Sequence, residues 1–143
     1  MRIIREINKN HVLRIAMKLV RESKKTVHGT MILKEETRNL SKEYFTLMNK
    51  KVSSGLRVKR IGFGTHKDFA IARQQLGYSS VIVRGEFKLC SNTNLAQRML
   101  IADKKKMIFA VYQSKDIKRV FYTENKFIVR GFLSYFDNLF SSL

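Results

Sequence analysis

The chain's 143 residues are the size of one domain, and a composition 44% hydrophobic and 10% aromatic excludes a disordered polycation. Its 29 Lys and Arg against 11 Asp and Glu give a formal charge of +18, far past the roughly 2–8 that solubility asks of a small domain. Self-repulsion on that scale points to an anionic partner: nucleic acid, an anionic ligand, anionic lipid or an acidic protein.

No apolar run nears the roughly 20 residues that span a bilayer, and no cleavable leader pattern opens the sequence. A cytoplasmic setting is the expectation. A single cysteine, Cys90, excludes an intrachain disulfide, and its polar neighbours include no histidine to activate it.

In chain order, Arg5–Ser23 is predicted as a helix. His11, Arg14, Lys18, Arg21 and Lys25 share one stripe at spacings of three and four, opposite Val12, Ala16, Leu19 and Val20. Residues 1–24 are therefore read as a basic N-terminal helix, and 25–143 as the main α/β domain. Thr26–Leu33 is predicted as a strand, with Gly29 at a bulge or close approach. Lys34–Leu40 reads as a charged connection. Ser41 is placed as the N-cap of a helix carrying Tyr44, Phe45, Met48 and Val52 inward and stopping at Gly55.

Leu56–Ile61 is the next predicted strand, and Gly62-Phe63-Gly64 is read as its turn. Thr65 and Asp68 form a capping-box-like start for a helix that stops at Gly77. Ser80–Arg84 is predicted as a strand and Glu86–Asn94 as irregular. Gln97–Ala102 and Met107–Gln113 are apolar runs about Asp103-Lys104-Lys105-Lys106, which reads as a solvated hairpin turn. The runs lack strict alternation and belong at a sheet centre buried on both faces. Ile117–Tyr122 is the last predicted strand. Asn125 caps a final helix with Ile128, Phe132, Tyr135, Phe136 and Leu139 on one stripe. Together these predict an α/β domain with a mixed central sheet of about six strands and helices on both faces. Parallel crossovers come early and antiparallel strands late.

The sites are less definite. Gly62-Phe63-Gly64-Thr65 before a helix invites a phosphate-loop reading, but the dinucleotide fingerprint needs glycine where Lys67 stands. His11, His28 and His66 lack zinc-ligand spacing, so no metal and no cofactor is expected. The aromatics show no RNA-recognition signature.

The segment Ser41–Val52 closing on Gly55, the strand Leu56–Ile61, the hairpin strand Arg98–Asp103 and the run Phe121–Asn125 into the aromatic helix carry a family pattern. From Lys25 to Leu143 the chain resembles one half of a phospholipase-D-like domain. It looks closest to the non-catalytic versions found as sensor domains of archaeal transcriptional regulators. In catalytic members this hairpin strand bears His-x-Lys-x4-Asp, whose histidine attacks the phosphodiester. With Asp103 at the aspartate, Arg98 falls at the lysine and Ala96 at the histidine, so the resemblance implies no nucleophile. The expectation is a non-catalytic ligand-binding or regulatory domain. Arg98 and His28 would serve an anionic ligand. The alternative is a sequence-nonspecific nucleic-acid binder using Arg14, Lys18, Arg21 and Lys25, with a phosphodiesterase a distant third. A homodimer stays open.

Overall fold

A computed structural model describes residues 3–38, 41–75, 86–114 and 118–143, with side chains at 36–38 and 75 set aside. The described strands are β1 (Ile4–Ile7), β2 (Thr26–Ile32), β3 (Arg57–Phe63), β4 (Phe87–Cys90), β5 (Met99–Ala102), β6 (Lys106–Tyr112) and β7 (Lys118–Thr123). The helices are α1 (Val12–Glu22), α2 (Leu33–Arg38), α3 (Lys42–Ser53), α4 (His66–Gln75) and α5 (Lys126–Ser142). The predicted strand Ser80–Arg84 and the Gly77 helix stop lie outside the described residues.

The strands form one sheet of order β1-β7-β6-β5-β2-β3-β4. Pairing is parallel for β2–β3 and β3–β4 and antiparallel everywhere else, so the mixed α/β reading holds. Helices cover both faces. Alternation along β5 sends Leu100 and Ala102 to a core shared with Ala16, Leu19 and Val20 of α1 and Met48 of α3. Met99 and Ile101 point the other way, to Val129, Leu133, Phe136 and Phe140 of α5. Every residue of β5 is buried, as expected of a central strand lacking polar alternation. Phe109 of β6 lies 4.8 Å, centroid to centroid, from Phe132 of α5 and stacks on Phe121 of β7. A third cluster joins Met31, Leu33, Phe45, Ala72 and Phe87.

Local chemistry sets the helix ends. The Ser41 hydroxyl accepts from the Tyr44 amide at 3.2 Å, and Asn125 Oδ1 accepts from the Phe127 and Ile128 amides. Thr65 and Asp68 cap each other reciprocally, the Asp68 amide donating to Thr65 Oγ1 at 3.0 Å. Gly55, at φ 104°, lets the chain leave α3, with its amide and that of Leu56 returning to the Val52 and Lys51 carbonyls.

Four expectations are corrected. Arg5–Ile7 is not helical: it belongs to β1, which pairs with β7 from Ile4↔Thr123 to Ile7↔Val120. Asn8 caps a short 3-10 turn at Lys9–His11, and only then does α1 begin. Ile4–Ile7 are thus built into the sheet, and Ile7, Ala16, Leu19 and Val20 into its core. Gly62 and Phe63 are no turn but the end of β3. A Cβ on Gly62 would sit 2.8 Å from Leu33 Cδ2, so glycine is needed for close approach. Leu33, read as the end of the strand, and Lys34–Arg38, read as part of a connection, form α2. Phe87–Cys90, read as irregular, is β4 and takes parallel register on Arg60–Phe63.

Candidate anion-binding sites

The first site lies where β2 and β3 begin and the β5–β6 hairpin turns. Asp103 and Lys104 both take positive φ there (53° and 59°), closing the tight hairpin. The Asp103 carboxylate accepts the backbone amides of Lys24, Lys25 and Thr26, at 2.8 Å for Lys25. The Asp103 amide in turn donates to the Thr26 carbonyl at 2.8 Å. Burial would raise the Asp103 pKa, but the three amides and the nearby Lys105 outweigh it and hold the carboxyl below its usual value. The Arg57 amide donates to the Lys25 carbonyl, and Lys51 Nζ to the Arg21 carbonyl, each at 3.1 Å.

These bonds gather Lys24, Lys25, Arg57, Lys104 and Lys105, all exposed, at one pole of the molecule. The one acid among them, Asp103, is occupied by backbone. From the pole the exposed Arg21, Lys18 and Arg14 continue along α1, opposite its buried Ala16, Leu19 and Val20. Lys18 has Glu22 at 3.9 Å, an exposed pair of little strength. The predicted stripe therefore faces solvent. The hairpin lysines, read as an ordinary solvated turn, stand beside its end.

The second site is at the other end of β2. A cleft of about 460 Å³ opens between α1, α3 and the sheet. Its walls include Val12, Leu13 and Ala16 from α1, Gly29 from β2, and Leu100, Ile108, Ala110 and Val120 from the antiparallel strands. Among the described residues, its charged lining consists of the cations Lys9, Arg60, Arg98 and Lys118. Arg60 is 3% exposed and lies over the Phe45 ring at 5.2 Å, with Nη1 3.7 Å from Met31 Sδ.

Arg98 is held firmly by its neighbours. Thr30 Oγ1 donates to the Gln97 carbonyl and accepts from the Met99 amide at 2.9 Å, while the Arg98 carbonyl accepts from Ala110. The Arg98 guanidinium meets Glu35 Oε2 at 3.1 Å, and the Tyr112 hydroxyl donates to the same carboxylate at 3.3 Å. Burial raises the Tyr112 pKa, opposed by Arg98 and reinforced by Glu35, so the phenol stays protonated and donates.

His28 does not share this cleft. It is buried on the α5 face, edge-on to Phe136 with centroids 5.1 Å apart, and its Nε2 lies 4.0 Å from Asp137 Oδ1. Its Nδ1 is buried with no hydrogen-bond partner among the described residues. Burial lowers the His28 pKa below 6.5, Asp137 opposes, and Lys59 and Lys104 reinforce. The neutral imidazole is therefore the native form. As pH falls below about 6.5 the unfolded chain takes up a proton that the folded chain refuses, so stability declines until the folded-state value is passed. At its steepest this is about 1.4 kcal/mol per pH unit. Urea unfolding of wild type and His28→Leu from pH 7.5 to 5 checks it. The stability difference should move against the wild type as pH falls. A constant difference would mean that His28 binds its proton equally in the folded and unfolded chains.

Sequence reasoning missed Glu35, Arg60 and Tyr112 at the cleft and Lys24 and Arg57 at the pole. Arg60 is one of three basic residues in β3, and only its burial, which demands partners for a charge, sets it apart from Arg57 and Lys59. At the Gly62–Thr65 segment the Thr65 and Asp68 amides are taken by their reciprocal cap.

No protein-family model matches the chain, and no curated protein sequence matches it. Solved structures do. TrmBL2, an archaeal chromatin protein described for a novel mode of DNA binding, superposes with TM-score 0.69 at 15% identity over 99% of this chain. This chain spans about half, 52%, of that one. NucT from Helicobacter pylori gives TM-score 0.66 at 12% identity, covering 97% of this chain and 94% of its own. Nuc from Salmonella typhimurium, a phospholipase D family member, gives 0.62 at 9% identity, covering 94% and 90%. At such identities the likeness concerns the backbone. The superpositions show that this chain adopts the phospholipase-D-like fold over nearly its whole length.

Proposed function

We propose that this chain is a non-catalytic domain that binds the phosphate backbone of nucleic acid without reading sequence, in a cytoplasmic setting. The observation that carries this reading is the pole of exposed cations fixed about Asp103 and continued by the α1 stripe. Lysines and arginines held at fixed spacing by backbone suit a regular array of phosphates. The DNA binding named for TrmBL2 supports the same reading. Among the described residues no helix is long and apolar enough to cross a membrane. The test is retention of a labelled duplex by Lys104→Glu/Lys105→Glu and by Arg14→Glu/Lys18→Glu. Both should release DNA while keeping the wild-type melting temperature. Undiminished retention by both would sink the proposal.

A second reading, a regulatory site for a small anionic ligand at Arg98, is favoured by the cleft beside that residue. Neither reading includes catalysis. Ala96, at the position of the motif histidine, offers no nucleophile, and His28, edge-on to Phe136, is turned away from the cleft that Arg98 lines. Purified protein should not hydrolyse a simple phosphodiester such as bis(p-nitrophenyl) phosphate. Turnover abolished by His28→Ala or His66→Ala would overturn this.

A further inference from the structure

We infer that the cleft takes an amphiphilic anion, an aliphatic body with a carboxylate or phosphate head, and that Glu35 competes with that head for Arg98. The inference rests on the reading of Arg98 as a ligand-binding group. Three observations lead to it. The walls are aliphatic where α1 meets the sheet, with Val12, Ala16, Leu100, Ile108 and Ala110 among them. A ligand that is all charge, such as inorganic phosphate, leaves that surface unsatisfied. Among the described residues the charged lining is cationic, and a neutral lipid or alcohol gains nothing from it. Finally, Arg98 and Tyr112 already hold a carboxylate, that of Glu35, by an ion pair at 3.1 Å and a hydroxyl at 3.3 Å. The chain thereby shows which head group this pair accepts. Glu35 is part-exposed at the start of α2, with its side chain 41% accessible, so it can swing out when another head arrives.

Gly29 marks the floor. A Cβ there would meet Leu100 Cδ1 at 3.6 Å, ordinary contact, so the strand tolerates a larger residue while the cleft loses depth. Filling the floor and removing the head-group partner are thus separable changes.

The experiment is calorimetric titration of the full chain with decanoate, decyl phosphate, 1-decanol and inorganic phosphate at physiological salt. One equivalent of decanoate or decyl phosphate should bind, and the tighter of the two identifies the head. Arg98→Ala should weaken that binding about ten- to a hundredfold, with Arg98→Lys between. Gly29→Val and, as a second filling variant, Ala110→Leu should abolish it, each in protein that circular dichroism and a cooperative melt show to be folded. Glu35→Gln should tighten it several-fold by removing the internal competitor. Inorganic phosphate binding as tightly as decanoate, in an Arg98-dependent way, would overturn the amphiphile inference but leave Arg98 as a ligand group. Equal binding of 1-decanol would overturn the role of the cations. No binding of either amphiphilic anion, or binding untouched by Arg98→Ala, would remove the inference and the underlying reading together.

Discussion

Between about 50 and 200 mM salt, affinity for a random-sequence duplex of about 20 base pairs should fall roughly a thousandfold. Each phosphate neutralised on a duplex releases condensed counterions and adds about −0.9 to the slope of log affinity against log salt. The pole and the α1 stripe offer Arg14, Lys18, Arg21, Lys24, Lys25, Arg57, Lys104 and Lys105, all exposed, of which a short duplex engages about six at once. About six contacts give a slope near −5, and a fourfold rise in salt then costs about three decades. A single cation would give a slope near −1 and only about a fourfold loss. Fluorescence anisotropy across the salt series separates the two cases. Lys104→Glu/Lys105→Glu should make the slope about two shallower, because two contacts are gone. Random and fixed sequences should bind alike. A slope near −1, or one that this double variant leaves unchanged, would exclude the pole as the binding face.

The second large effect is on stability. Asp103→Ala should cost about 3 kcal/mol, with a fall in Tm of about 10 °C for a chain of this length. The carboxylate serves three backbone amides from a segment nearly eighty residues earlier in sequence, so its loss frees the start of β2 from the hairpin. Hydrogen bonds to a charged group are worth more than neutral ones. Alanine also tolerates the positive φ at this position less well than aspartate does. Asp103→Asn keeps the backbone preference and an acceptor, so its loss should be the smaller. The sign with pH follows from the depressed pKa. The stabilisation is fully present above the unfolded-state value of 3.8 and is lost as pH falls through the lower folded-state value. Thermal melts of the three proteins at neutral pH, repeated toward pH 2, give both readings. An alanine variant melting with the wild type would show that the amides need no carboxylate.

What could be read from the sequence was local. Ser41, Asn125 and the Thr65–Asp68 pair announce helix starts because a cap acts within three residues. The hairpin about Asp103 announces itself because two apolar runs flank four polar residues. Gly62 misled because its reason lies across space, in Leu33, and a glycine pair reads as a turn until that neighbour is known. Four residues of β1 carry too few alternations to stand out against the helical period that follows. The pole was invisible as a unit. Its cations come from the α1–β2 link, the start of β3 and the β5–β6 turn, which the sheet order alone brings together. Likewise Glu35, Arg98 and Tyr112 meet only through folding.

The strand β1 also bears on how copies of this chain behave at high concentration. It forms one border of the described sheet, a row of backbone groups to which another chain's strand could add. Only four residues long, it offers a short template, and Arg5 and Glu6 sit in its middle. Both are engaged inward, Arg5 over the Tyr122 ring at 5.1 Å and Glu6 with Arg119 at 2.9 Å. A strand docking from another molecule would crowd these charges and lengthen the sheet by little. Growth into fibrils from this side is thereby discouraged, as the chain's +18 charge discourages approach in the first place.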